Sequence, residues 1–187
     1  MVRMVIFLSL LTSAAVAQAA PTKAAGATVE ERLLSAHNAE RARLGHAPLR
    51  WSVALSKDAA AWAATLAKTN SFDHAKQSDQ GENLWMGSKG DYSPEEMVGL
   101  WIDERRLFKP GRFPAVSTTG QWADVGHYTQ LIWRSTTMVG CAIASNAADD
   151  YLVCRYDPPG NWIGQDVLQP VAANQVTKPT RRKQRLP

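Results

Sequence analysis

Two stretches in the second half of the chain decide its fold. They are Gly126-His127-Tyr128-Thr129-Gln130-Leu131-Ile132-Trp133-Arg134-Ser135-Thr136 and Tyr151-Leu152-Val153-Cys154-Arg155-Tyr156-Asp157-Pro158-Pro159-Gly160-Asn161-Trp162. Gln130-Leu131-Ile132-Trp133, Met138 to Ser145 and Tyr151 to Tyr156 read as short β-type runs. The last two flank Asn146-Ala147-Ala148-Asp149, a polar and small loop that predicts a hairpin. A register symmetric about Ala147 and Ala148 sets Cys141 opposite Cys154 on neighbouring strands. Two cysteines in an exported chain form a bridge as a rule. Closing so short a loop contributes roughly 3 kcal/mol in the chain-entropy model. Two free thiols serving as metal ligands are the alternative.

N-terminal to these runs the pattern turns helical. Leu33, Leu34 and Leu44 fall on one stripe between Val29 and Leu44, and Gly45 followed by Pro48 gives a stop. A second helix is predicted from Val53 to Lys68, with Leu55, Ala59, Trp62 and Leu66 in step. A third starts at Ser93-Pro94-Glu95-Glu96, where Ser93 is the N-cap, Pro94 sits at N1 and Glu96 closes a capping box. It is expected to continue through Met97, Trp101, Glu104 and Phe108. Glu104 then lies on an apolar stripe, where a carboxylate is costly unless it is paired or lines a cleft. Helices first and strands later, with no regular βαβ alternation, indicate an α+β layer fold.

The ends have their own character. Arg3, an apolar run from Val5 to Leu11, and the small-x-small triplets Ala15-Val16-Ala17 and Ala17-Gln18-Ala19 read as an export signal over residues 1–19. The run is far shorter than the roughly 20 residues of a spanning helix. Residues 20–28 are a linker, 29–170 the folded domain and 171–187 a basic tail. The chain has 21 Lys and Arg against 17 Asp and Glu, for a net charge of +4. Lys178, Arg181, Arg182, Lys183 and Arg185 put +5 of this in the tail, and residues 18–170 come to −2. The domain therefore has no nucleic-acid footprint. The tail, free of aromatics, is expected to be disordered and suits an anionic surface such as phospholipid headgroups or an envelope polymer.

There are four histidines, His37, His46, His74 and His127. His37 reads as structural, hydrogen-bonding inside a helix contact, and His46 as solvated in a turn. His74 and His127 stand beside segments of unusual composition. Phe72-Asp73-His74 leads through a polar stretch to Gly81-Glu82-Asn83-Leu84-Trp85, and Gly126-His127-Tyr128-Thr129-Gln130 leads to Trp133.

At this point the two long stretches resemble the two signatures of the CAP superfamily, that of the cysteine-rich secretory, antigen 5 and pathogenesis-related 1 proteins. His37-Asn38 with Arg41, the Gly81-Glu82-Asn83 box, and Trp101 before Glu104 are similar to the family's other landmarks and stand in the same order. The resemblance covers about residues 30 to 168. It implies an α-β-α sandwich with a three-stranded antiparallel sheet between helical layers. It also implies a cleft holding two histidines and two glutamates, here His74, Glu82, Glu104 and His127. Ala75 departs from relatives with Ser after the first histidine, which weakens any proposal of a serine nucleophile there. The single cysteine pair is fewer than plant and animal members carry, and in a short-signal chain it suits a bacterial export route.

Two imidazoles with two carboxylates suit zinc or another divalent metal, His74 and His127 as ligands and Glu82 and Glu104 as acidic partners. The same four groups also fit a mutually satisfied polar network, or a His/Glu-based endopeptidase in which Glu82, Glu104, His74 and His127 activate water. No activated nucleophile or oxyanion hole is evident. Trp62, Trp101 and Trp133 stand at core-like positions, whereas Trp85, Trp122 and Trp162 flank loops or the proposed cleft. By resemblance to lipid- and sterol-binding members, the 109–123 loop is a candidate lid, with Phe113, Trp122 and Tyr128 lining an apolar groove. The expectation is a secreted or periplasmic monomer that binds a small apolar ligand or an extracellular or envelope component. It is expected to be a binding module rather than an enzyme.

Overall fold

The computed structural model describes residues 26–76 and 79–169. The expected export signal, most of the expected linker and the basic C-terminal segment lie outside the described residues. Thr28 is already part of the folded domain. It caps α1 (Val29–Arg43) through a capping box with Glu31. Ser52 caps α2 (Val53–Thr69), which ends at Asn70 in the left-handed region. Ser93 caps α3 (Pro94–Asp103), with Pro94 in the first turn and Glu96 returning to the Ser93 amide. Local sequence thus starts all three helices through side chains that satisfy orphan backbone donors.

The sheet contains β1 (Arg50–Trp51), β2 (Gly81–Ser88), β3 (Met138–Ser145) and β4 (Asp149–Asp157), in the order β1-β3-β4-β2. It has four strands, one more than expected. The addition, β1, pairs parallel to β3 and is two residues long, too short to leave an alternating pattern in the sequence. The other three are antiparallel. Cys141 faces Cys154 across β3 and β4, in the register the hairpin loop implied, and the two are joined as a disulfide.

Side chains alternate along β4 between the two faces. Leu152, Cys154 and Tyr156 pack with residues of α1, α3 and α4 (Gly126–Ile132), while Tyr151 and Val153 pack with α2. The architecture is an α+β sandwich with helices on both faces. Small residues let α2 lie close: Ala59, Ala63 and Ala67 are buried on it. Beneath it is Gly140, where a Cβ would collide with the Ser56 amide and the Ser52 carbonyl. Among the described residues no helix is long and apolar enough to cross a membrane.

Three local expectations are corrected. Gln130-Leu131-Ile132 belongs to α4, not to a strand. Its apolar run is continuous because the helix is buried on all sides, and burial erases the periodicity that separates helix from strand. Helix α3 stops at Asp103, and a 3-10 turn, Glu104–Arg106, follows, so Phe108 is off the helix. The reason lies in tertiary pairing, Arg105 being drawn to Glu40 on α1 and Glu104 to α4. His46 is buried, and its Nδ1 donates to the Ile132 carbonyl at 3.0 Å. His37 is structural, donating from Nδ1 to Leu33 O and accepting at Nε2 from Tyr156 Oη, both at 2.8 Å.

Arg41 holds α1 to the end of α4. It is 1 % exposed, and its guanidinium donates to the carbonyls of Ala47, Leu131, Trp133 and Thr136 at 2.9–3.1 Å. Burial lowers its pKa to about 10, so it remains a cation at neutral pH.

Candidate functional site

After α2 the left-handed Asn70 turns the chain back, and Trp62 Nε1 pins the returning segment by donating to Asp73 O at 3.1 Å. This sets His74 beside the start of β2. Its Nδ1 lies 2.5 Å from Glu82 Oε1, which also accepts the Ala75 amide at 3.1 Å. A carboxylate oxygen can only accept, so Nδ1 carries the proton and, in the neutral ring, Nε2 keeps the lone pair.

A second pair forms opposite. His127, in the first turn of α4, has Nδ1 2.6 Å from Glu104 Oε1, and Glu104 Oε2 accepts the Tyr128 amide at 2.9 Å. The imidazole lies flat against the Trp101 indole, centroids 6.0 Å apart and planes 14° from parallel. Its carbonyl accepts from Asn83 Nδ2 at 3.0 Å, which ties α4 to β2.

Both histidines face one cleft of about 180 Å³. His74, Glu82, Asn83, Trp122, Ala123, Gly126, His127 and Asn161 line it. Glu104 does not. It stands behind His127 and orients the ring. Asn161 is fixed by donating to Gly126 O at 3.0 Å and accepting from Thr129 at 2.7 Å.

The structure therefore brings His74, Glu82, Glu104 and His127 together as two imidazole–carboxylate pairs. Of the three groove candidates, only Trp122 lines the cleft. Phe113 and Tyr128 are each 1 % exposed, and both are core residues. Phe113 packs edge-on against Trp122 and Trp133, and its backbone bonds to Gln165 and Gly164, so the 109–123 segment is fastened to the body. Trp85 and Trp162 are likewise packed away from the cleft, Trp85 against Tyr92 and Trp162 with Nε1 on Pro159 O.

Among the described residues, one group of three His, Cys, Asp or Glu side chains has ligand atoms within 4.8 Å of one another: His37, Cys141 and Cys154. Its sulfurs are bonded to each other and both His37 nitrogens are occupied, so it is not a metal site. Among the described residues, His74, Glu82 and His127 of the cleft do not form such a group.

Sequence reasoning missed Arg155. It sits directly opposite Glu82 on the β2–β4 ladder, with Nη2 2.8 Å from Glu82 Oε2. The contact is an ion pair off the line of a hydrogen bond, since Glu82 Oε2 and Arg155 Nε both lack an aligned partner. The signal was present in the sequence. A cation inside the apolar run Tyr151 to Tyr156 is as anomalous as a carboxylate on a helical stripe.

Residues 34–156 match the profile of the CAP family, described as the cysteine-rich secretory protein family. The chain belongs to the CAP family. Pathogenesis-related protein 1B of Nicotiana tabacum is 36% identical over 137 residues, 73% of this chain and 79% of that protein. Pathogenesis-related protein PR-1 of Medicago truncatula is 33% identical over 138 residues, 73% of this chain and 77% of that protein. Two solved CAP-fold structures agree in architecture. BmVAL-1 gives a TM-score of 0.63 at 22% identity over 74% of this chain and 81% of its own. NaASP2 with Zn2+ gives 0.61 at 24% identity over 73% and 82%. At that identity the likeness speaks to the fold.

Proposed function

We propose that this CAP domain is a secreted, non-enzymatic binding module whose cleft takes a divalent metal on His74 and His127. One observation carries the reading. Each imidazole has its Nδ1 held by a carboxylate, which leaves Nε2 as the free ring nitrogen of two histidines lining the same cleft. Carboxylate-backed imidazoles are the usual form of a histidine metal ligand, zinc above all. With two protein ligands, a bound ion would keep positions open for water or a small oxygen ligand and would polarise what occupies them. The zinc present with NaASP2 accords with this.

The same geometry counts against a peptidase. Glu104 has one oxygen on His127 and the other on the Tyr128 amide, and Glu82 is shared among His74, Ala75 and Arg155. Neither is placed to take a proton from water. A cleft of about 180 Å³ is smaller than the roughly 300 Å³ at which ligand pockets begin, so a sterol-sized occupant has little support beyond Trp122. The disulfide suits an oxidising compartment, in keeping with export. The basic tail is the part suited to hold the domain to an anionic surface.

Calorimetric zinc titration of the domain, beside the His74→Ala/His127→Ala double variant, tests the reading. One-to-one binding lost in the folded variant is the expected result. No heat in the parent protein would end the metal reading.

A further inference from the structure

Arg155 is a buried cation, 4 % exposed, for which neither the fold nor the cleft has so far given a reason. It projects from β4 toward the α2 face. Across β3 its register partner is Gly140, which brings no side chain, and across β2 its partner is Glu82. The guanidinium therefore meets one carboxylate on this face, and it meets the oxygen that His74 does not use. Arg155 does not line the cleft.

We propose that Arg155 is a positioning residue for the cleft: by holding Glu82 Oε2 from behind, it commits Glu82 to orienting His74 and keeps that carboxylate from turning in as a ligand itself. The proposal rests on the metal reading for its consequence but not for its geometry. Three donors surround Glu82: the His74 ring, the Ala75 amide and the Arg155 guanidinium. Without Arg155 the buried Oε2 faces no cation. Rotation toward the cleft, which Glu82 already lines, then brings it to new partners. That rotation withdraws Oε1 from His74 and frees the ring to change tautomer. His127 is the internal control, since its carboxylate, Glu104, makes no contact with Arg155.

The experiment compares the parent protein with Arg155→Met and Arg155→Lys. Nitrogen-15 spectra of the imidazoles in metal-free protein at mildly alkaline pH report which ring nitrogen carries hydrogen. The expected result is a single Nδ1–H form for both histidines in the parent. In Arg155→Met, His74 becomes a mixture of tautomers while His127 is unchanged, and Arg155→Lys moves His74 back toward the parent form. Zinc titration should follow, with affinity falling roughly 10- to 100-fold in the methionine variant and partly recovering in the lysine variant. An unaltered His74 tautomer in folded Arg155→Met overturns the proposal. If that variant does not fold, Arg155→Leu, which likewise offers no donor toward Glu82, is read by the same criterion. Absence of zinc binding in the parent removes the metal reading alone, because the tautomer result still decides the role of Arg155.

Discussion

Glu104 binds two consecutive residues of α4 at once, the His127 ring through Oε1 and the Tyr128 amide through Oε2. The amide is an otherwise orphaned donor in the first turn of the helix, so one carboxylate both starts α4 and aims its imidazole. Replacing Glu104 by Ala should separate these effects. We expect the fold to be retained at a cost of about 1–3 kcal/mol from the unsatisfied Tyr128 amide, read from urea unfolding. Zinc affinity should fall roughly 10- to 100-fold in the same variant. Equal affinity in parent and variant would mean that Glu104 serves helix initiation alone.

Arg41 makes a second prediction, about how α4 is held at its other end. Three of its four carbonyl partners, Leu131, Trp133 and Thr136, span the last turn of α4 and the loop beyond, the fourth, Ala47, lies in the loop after α1, and no carboxylate accompanies them. Arg41→Met removes the donors and leaves buried carbonyls unpaired, which should lower stability by about 3 kcal/mol or more. Arg41→Lys restores the charge without the fork and should recover only part of this. A loss in denaturant midpoint of the size seen for surface substitutions would contradict the role.

Much of this was readable beforehand where a local rule applied. The Ser93 capping box, the Asn146–Asp149 hairpin and the Cys141–Cys154 register all depend on residues close in sequence, and all stand as expected. The end of α3 was not legible. Trp101 and Phe108 keep helical spacing from Glu104, yet contacts with Glu40 and α4, both distant in sequence, break the helix at Asp103. The α4 segment failed for a related reason, since Leu131 and Ile132 are fully buried and show no polar face. For the cleft, the resemblance supplied the four residue identities, but their division into pairs depends on which carboxylate each ring reaches. Arg155 went unread because a single cation in a strand has no spacing pattern to betray its partner across the sheet.

The disulfide offers a third test. Cys141 and Cys154 are buried and already opposite each other in a hydrogen-bonded ladder, so the bridge adds little to the native contacts and acts by restricting the unfolded chain. Cys141→Ala/Cys154→Ala should fold with the cleft intact and be less stable by roughly 3 kcal/mol. Unchanged zinc binding with a lowered thermal midpoint is the expected combination. Lost binding in a folded variant would show that the bridge also shapes the cleft.

Acid sensitivity should centre on His37, buried between α1 and Tyr156. Burial pushes its pKa down to about 4, with the nearby Arg41 cation acting in the same sense and the Leu33 carbonyl opposing. The unfolded chain takes up this proton near the ordinary value of 6.5, so it binds more protons than the native state between the two values. Stability is therefore full above about pH 6.5, falls as the pH drops toward about 4, and changes no further below that on account of this group. The shift corresponds to a loss on the order of 3 kcal/mol. His46, also lowered by burial and by Arg41 and Arg134, adds to the same trend. His37→Gln keeps a polar side chain near Tyr156 but cannot titrate. Its stability at neutral pH should be lower, while its slope of unfolding free energy against pH between 6.5 and 4 should be shallower than the parent's. Parallel slopes in the two proteins, measured by urea denaturation across that range, would assign the acid response to other groups.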